Sequence, residues 1–281
     1  IVTAKDKDGN EWLLKTYKGD HDRVATELLA NAIYRELGVP VSNAGLGNSK
    51  HPEYGDTMAL AYPLVKGDIK RWNEPNAELG EGFVADALLG NWDVVGLTQD
   101  NVLWNNGSPI RLDQGGTLEY RAMGQKKTFG PVPSELWTMR SGMGQANGTM
   151  DITEAGMRAS AADAAIRLTP ARIDDLVDQA PFDDEAMRER IRQSLKDRVA
   201  WLDAFSRGEV DLPRPLAKKE ASDYFAERDS GLETMPSEDQ AVNDYLGPLG
   251  SEIDEHLQSG EPKDQASEEV RQTITEMDML L

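Results

Sequence analysis

The sequence predicts an α+β domain in two lobes, the first rich in strands and the second mainly helical. Extended apolar runs with turn signals fill residues 1–66, with one helical stretch at 22–37. A second short hairpin follows at 102–112. From residue 134 onward the apolar spacing is that of helices, almost without a break.

The elements follow in order. Residues 1–4 and 12–17 are extended and joined by Asp6-Lys7-Asp8-Gly9-Asn10, where Asp-Gly-Asn supplies the positive-φ turn of a β-hairpin. Val24, Leu28, Ala32 and the stretch 34–37 share one face of a helix over 22–37, which Gly38 stops. Val39-Pro40-Val41 then starts an extended piece, and 58–65 is a strand-length apolar run ended by Lys66-Gly67-Asp68. Phe83, Val84, Ala87, Leu88 and Leu89 mark a buried helix over 82–92. Val102-Leu103-Trp104 and Ile110-Arg111-Leu112 flank Asn105-Asn106-Gly107-Ser108, an Asn-Gly hairpin. Helices are predicted at 134–140, 153–167, 170–179 and 183–207, with Pro170 at a first helical position. Glycines and prolines amid charge mark 208–238 as a linker, and two further helices are expected at 239–258 and 265–281.

Composition narrows the function classes. Among 281 residues there is no cysteine, which excludes disulfides, thiolate metal sites and a cysteine nucleophile. The net charge of −20 opposes nonspecific nucleic-acid binding, which needs Lys and Arg to displace counterions. That charge is uneven: residues 211–281 carry −12 and the first 210 carry −8. No apolar run approaches the roughly 18 residues of a membrane span, and no signal peptide is visible. Such a chain is expected in the cytoplasm or delivered into a host cell. It opens at Ile1 within a strand pattern, which reads as a piece of a larger polypeptide or assembly.

The residues that could carry chemistry cluster at 93–113. Asn101 precedes one strand of the second hairpin and Asp113 follows the other, so their side chains are expected to be neighbours at its open end. An amide oxygen beside a carboxylate suits Mg²⁺ that keeps water and phosphate ligands. Gly115-Gly116 lets backbone pass close to a ligand, although a plain polar turn would read the same way. Asp93 follows the apolar helix, where a negative charge is unfavourable beside the helix C-terminus and so asks for a reason. Phosphoryl transfer supplies one: an aspartate orients the acceptor hydroxyl while neighbouring side chains hold Mg²⁺. Lys15 ends the apolar strand Trp12-Leu13-Leu14, and Glu27 on the next helix can face it. A half-buried lysine needs such a partner to stay charged and aimed.

The stretches Asp8-Gly9-Asn10 to Leu14-Lys15, Glu27 with Glu36-Leu37-Gly38-Val39-Pro40, Leu88-Leu89-Gly90-Asn91-Trp92-Asp93, Asp100-Asn101-Val102-Leu103 and Arg111-Leu112-Asp113-Gln114-Gly115-Gly116 carry a family likeness. Over residues 1–207 the chain resembles the kinase-like superfamily, nearest its atypical branch of HipA-type, actin-fragmin-type and phosphatidylinositol kinases. The resemblance implies a protein-kinase-like fold with a small β-rich N-lobe (1–66) and a mainly helical C-lobe (67–207). It implies ATP and Mg²⁺ as cofactors and a protein hydroxyl as acceptor. Lys15 would hold the ATP phosphates and Glu27 would brace it. Asp93 would be the catalytic aspartate. Asn101 and Asp113 would bind Mg²⁺, with Asp113 where the family opens its DFG-type motif. Tyr62, Leu64 and Val65 would form the hinge against adenine.

The chain departs from the family in three places. The family spaces its asparagine about five residues after the aspartate, and here Asn101 follows Asp93 by eight. Either Val94-Val95-Gly96 is a local insertion or Asp100 takes part instead. Gln-Gly-Gly follows Asp113 in place of Phe-Gly. A glycine-rich nucleotide loop, expected before Ile1, is not visible.

Other candidates are weaker. His21, His51 and His256 lack metal-ligand spacing. Lys126-Lys127 reads as a solvated basic loop or an acceptor-holding one. Trp92, Trp104, Trp137 and Trp201 are expected in the core. Residues 241–260 faintly resemble the opening helices of toxin-type mono-ADP-ribosyltransferases, without that family's catalytic motifs. The rival to an active kinase is therefore an inert kinase-like binding module of a toxin, effector or phage particle protein, joined or not to such a transferase.

Overall fold

The computed structural model describes residues 1–51, 55–69, 76–96, 100–140 and 152–213, with 223, 226 and 227. Most of the expected linker, and the helices expected at 239–258 and 265–281, lie outside the described residues. What is described is a mixed α+β structure, and no helix in it is long and apolar enough to cross a membrane.

The first hairpin forms from β1 (Val2–Lys5) and β2 (Glu11–Lys15), antiparallel. Its turn is closed by Asp6. One carboxylate oxygen takes the N–H groups of Asp8 and Asn10, each at 2.9 Å. The other takes the side-chain nitrogens of Asn10 and Trp12. These donors, Asn10 and then Trp12 foremost, pull the Asp6 carboxyl down to about 2.

Helix α1 (His21–Glu36) starts where the Asp20 side chain accepts the Arg23 N–H at 3.0 Å. It ends at Leu37, with Gly38 in the left-handed region at φ 73°. β3 (Gly45–His51) and β4 (Gly55–Pro63) complete an antiparallel sheet of order β1-β2-β4-β3. β3 was not predicted. Gly45-Leu46-Gly47-Asn48-Ser49-Lys50 has no β-branched residue and no clear alternation, so its pattern reads as loop. Its main chain pairs with the strongly patterned β4, which is enough for an edge strand.

The second hairpin is β6 (Val102–Asn105) with β7 (Ser108–Arg111), and β5 (Asp68–Ile69) adds an edge strand to β6. Asn106 and Gly107, at φ 50° and 85°, supply the two positive-φ positions this tight turn needs. The extended piece after α1 joins this sheet. Arg111 donates its N–H to Pro40 at 3.1 Å and accepts from Ser42 at 3.1 Å.

The remaining helices are α2 (Ala77–Gly80), α3 (Phe83–Leu89), α4 (Glu135–Thr138), α5 (Glu154–Arg167), α6 (Pro170–Gln179) and α7 (Glu185–Ser206). Helix α1 is buried on two sides. Val24 packs with Leu60 and Tyr62 of β4, while Ala25, Leu29 and Ile33 join α3, α5 and α7 in the main core. Trp104 and Trp137 are buried, and Trp92 and Trp201 pack against that core, as expected of apolar anchors.

A buried polar network crosses the core. Arg111 grips Asp86 with two parallel bonds of 2.7 Å, and the two side chains are 1% and 0% exposed. Tyr34 of α1 donates to the same carboxylate at 2.8 Å and accepts from Asn91 at 3.0 Å. Gly82 makes room: a Cβ there would sit 2.7 Å from the Arg111 guanidinium carbon. One network therefore links α1, α3, β7 and the loop that leads to Asp93.

Arg111→Met strands the Asp86 carboxylate and should lower stability by about 3–5 kcal/mol in urea unfolding. Adding Asp86→Leu should recover part of that loss, because an apolar pair leaves no buried charge unpaired.

Candidate functional site

The site is built where the end of β2, the middle of α1 and the turn after β7 meet. Lys15 is paired with Leu60 across the β2–β4 ladder, and Leu13 with Tyr62. The alternation of a strand places these four side chains on one face, the face that packs on α1. Glu27 projects from α1 to meet it. The Lys15 ammonium lies 3.2 Å from each Glu27 carboxylate oxygen and 2.9 Å from Asp113 Oδ1. Three residues spread over nearly one hundred positions thus form one ion triad.

Its members differ in exposure. The Glu27 side chain is 1% exposed, Lys15 15% and Asp113 45%. Burial would lower the Lys15 ammonium, but the Glu27 and then Asp113 charges outweigh it and hold it well above the ordinary lysine range. Burial would likewise raise the Asp113 carboxyl. Lys15, the Gly115 N–H and Arg23 outweigh that and hold it below the usual carboxylate range.

The turn after Asp113 is fixed closely. Asp113 Oδ1 takes the Gly115 N–H at 2.7 Å as well as Lys15. A Cβ on Gly115 would lie 2.5 Å from the Tyr17 hydroxyl, 3.0 Å from Asp113 Oδ1 and 3.3 Å from Lys15 Nζ, so a side chain there would push these groups aside. Leu118, at φ 53°, is fully buried and donates its N–H to Leu89 at 2.8 Å. A bulky residue in the left-handed region is costly and persists here because the surrounding core holds it. Gln114 turns inward. Its amide nitrogen donates to the Arg111 carbonyl at 3.1 Å, and its oxygen accepts from Asn31 of α1 at 3.3 Å. Asn31 also donates to Ser42 and accepts from Ala44. Glu27, through Lys15, and Asn31, through Gln114, are one turn apart on α1 and hold the start of the Asp113 turn.

Asp93 belongs to a second cluster. Helix α3 ends at Gly90 in the left-handed region, φ 63°. Arg198 donates to the carbonyls of Ala87 and Leu88, and Lys127 to those of Gly90 and Gly116. These buried cations neutralise the carbonyl end of the helix beside which Asp93 sits. Lys127 thus corrects the reading of a solvated basic loop: it is 6% exposed and works as a clamp. The Asn91 side chain accepts the Asp93 N–H at 3.1 Å. The Asn101 amide nitrogen donates to the Asp93 carbonyl at 2.9 Å and to its carboxylate at 3.2 Å.

The hairpin mouth differs in detail from expectation. The register sets Asn101 opposite Leu112, which donates its N–H to the Asn101 carbonyl at 3.0 Å, and Asp113 lies one step further on. The hydrogen bonds of Asn101 go to Asp93, and those of Asp113 to Lys15 and Gly115. One oxygen of Asp100 is buried without a hydrogen-bond partner, close to Gly96.

The expected hinge also sorts itself out. The Tyr62 hydroxyl donates to Glu27 at 2.6 Å, so its side chain is committed to the ion triad. Leu64 is 46% exposed and donates its N–H to Glu11 at 3.0 Å, and Val65 is half-buried. His21 pairs with Asp183 at 3.1 Å, His256 lies outside the described residues, and nothing is described of the His51 side chain. Tyr17 and Asn31 are residues that sequence reasoning did not place in the site, and it gave Gln114 no contact of its own. A second polar residue one turn after Glu27 on a largely apolar helix was the available signal for Asn31.

Comparison with solved structures finds a similarity to the Helicobacter pylori proinflammatory kinase CtkA, at 14% identity and a TM-score of 0.45, over 74% of this chain and 91% of that one. No protein-family model matches the chain, and no curated protein matches it.

Two outcomes test the site's physics. Asn31→Leu leaves the Gln114 amide oxygen, the Ser42 carbonyl and the Ala44 N–H short of a partner and should cost about 1–3 kcal/mol in chemical denaturation, with only the Gln114 share regained in Asn31→Leu/Gln114→Leu. The second concerns pH. Asp113 has a depressed folded pKa, so its stabilisation is complete above the unfolded value of about 4 and is lost as pH falls through the lower folded value. The melting temperature of Asp113→Asn should therefore lie below wild type at neutral pH, with the gap closing in acid.

Proposed function

We propose that this chain is an ATP- and Mg²⁺-dependent phosphotransferase of kinase-like architecture, with protein hydroxyls as its acceptors. The observation that carries the reading is the ion triad of Lys15, Glu27 and Asp113, drawn from a strand, a helix and a turn far apart in sequence. Structural ion pairs sit more cheaply on surfaces, whereas this one places a lysine with a charged, aimed ammonium beside a carboxylate that remains partly open.

The residues fit the cofactors. Asp113 uses Oδ1 for Lys15 and Gly115, and its second oxygen takes neither bond. That oxygen and the amide oxygen of Asn101, whose nitrogen is engaged by Asp93, are the donors suited to Mg²⁺ with remaining positions left to water and phosphate. Bound MgATP would supply the transferable phosphoryl group and neutralise charge on it. Lys15 would turn its ammonium to phosphate oxygens. Glu27 would hold the lysine in place from the buried side. Asp93, its backbone fixed by Asn91 and Asn101, would orient the acceptor hydroxyl and take its proton on the carboxylate. Leu64 and Val65, at the end of β4, would line the adenine edge. Gly115, with no side chain, lets the Tyr17 hydroxyl, Asp113 and Lys15 crowd together beside the turn.

The test is Asp113→Ala against wild type. Saturating ATP with Mg²⁺ should raise the wild-type melting temperature, by about 2.7 kcal/mol of stabilisation at one hundred times Kd. Phosphate transfer from labelled ATP to a generic protein acceptor should accompany it. Asp113→Ala should lose both. Wild-type protein that ATP with Mg²⁺ does not stabilise would favour the inert binding module instead.

A further inference from the structure

The Glu27 carboxylate has more partners than a lysine brace requires. It is fully buried, and besides Lys15 it accepts from two phenols: Tyr17 at Oε2 and Tyr62 at Oε1, the latter at 2.6 Å. The two tyrosines come from different segments, one after β2 and one on β4. Tyr17 follows β2, and its hydroxyl lies under Gly115, so it touches both Glu27 and the Asp113 turn. Its ring is held from outside by the Arg23 guanidinium, 4.0 Å from the ring centre. Tyr62 is a buried residue of β4 on the face that packs against α1. Burial and then the Glu27 charge push both phenols well above their ordinary range, so both remain protonated donors.

The charge count explains what the phenols add. Lys15 is one cation shared between Glu27 and Asp113. A phosphate arriving at Lys15 draws the ammonium toward itself, and every bit of that shift weakens its hold on Glu27. A carboxylate at zero exposure cannot recover the difference from water, and a stranded buried charge is among the costliest changes a fold can suffer. Neutral hydroxyls that never leave can make up that difference without adding positive charge.

We infer that Tyr17 and Tyr62 are positioning residues for nucleotide binding: their hydroxyls hold the Glu27 side chain in place so that Lys15 can turn from its carboxylates to a polyphosphate anion. The inference rests on the phosphotransferase reading and deepens it at the same site. It also gives Tyr62 a role different from stacking on adenine.

The experiment uses the full chain and MgATP in titration calorimetry, with kinetics on the same acceptor. Tyr17→Phe and Tyr62→Phe keep the rings and remove only the hydroxyls. Each should weaken MgATP binding roughly tenfold or more, the range of a hydrogen bond to a charged group. Both should raise KM while leaving kcat near wild type, because Asp93 and its surroundings are untouched. In a Glu27→Gln background the Phe substitutions should have little further effect on binding. Phe variants that bind MgATP like wild type would overturn the inference. So would an equal weakening in the Glu27→Gln background, which would mean that the tyrosines act other than through Glu27. Wild-type protein that binds no MgATP, like a Lys15→Met control, would overturn the phosphotransferase reading and this inference with it. The two failures are thus told apart by the wild-type titration alone.

Discussion

A carboxylate with no access to water sets the terms for the rest of this structure. Glu27 can be ionised inside the protein only if donors surround it, and those donors must come from whatever packs on α1. Lys15 and Tyr17 come from β2 and the segment after it, and Tyr62 from β4. Satisfying one buried charge therefore fixes how the four-stranded sheet lies on the helix. The apolar contacts of Val24, Leu60 and Tyr62 would hold the two together. They would not by themselves choose the register in which Lys15 faces Glu27, because apolar packing is non-directional. The polar contacts make that choice.

Helix α1 passes this order on. Its opposite side enters the main core, where Tyr34 reaches Asp86 and, through Asn91, the loop carrying Asp93. Asn31, between the two, ties Gln114 and so the Asp113 turn. Three polar residues on one buried helix thus reach the ion triad, the turn after Asp113 and the loop before Asp93. A shift of α1 would move all three together. The buried cations Arg198 and Lys127 brace the far side by gripping the carbonyl end of α3. Fully satisfied polar networks of this kind specify one arrangement where an apolar core would tolerate several.

Much of this was legible in the sequence, for identifiable reasons. The Asp-Gly-Asn and Asn-Gly turns announced both hairpins because few residues adopt the required backbone. Lys15 and Glu27 stood out as charges on apolar elements, while their meeting with Asp113 was implied only by the family resemblance. The edge strand β3 was invisible because its residues do not alternate and its partner β4 does the work of pairing. Lys127 was read as solvated because a lysine pair in a glycine-containing loop usually is, and nothing local records that two carbonyl ends would meet there. At the hairpin mouth Leu112 stands opposite Asn101, and Asp113 follows one residue further on. Counting residues gave the neighbourhood, but strand pairing decides which side chains stand opposite. Tyr62 was read by its ring, and its hydroxyl turned out to carry the contact.

The same reasoning applies to Gln114 and to the stretch from Asp93 to Asn101. Gln114 follows Asp113 and meets Asn31, so a hydrogen bond joins the turn to α1. That pairing is self-consistent, because both partners are buried and each satisfies the other. The long gap between Asp93 and Asn101 is closed differently. Asn101 bonds both the backbone and the carboxylate of Asp93, so the two stay joined across the stretch between them. What holds a site together is the bond at its ends rather than the number of residues between them. By that measure an eight-residue spacing is compatible with a close Asp93–Asn101 contact.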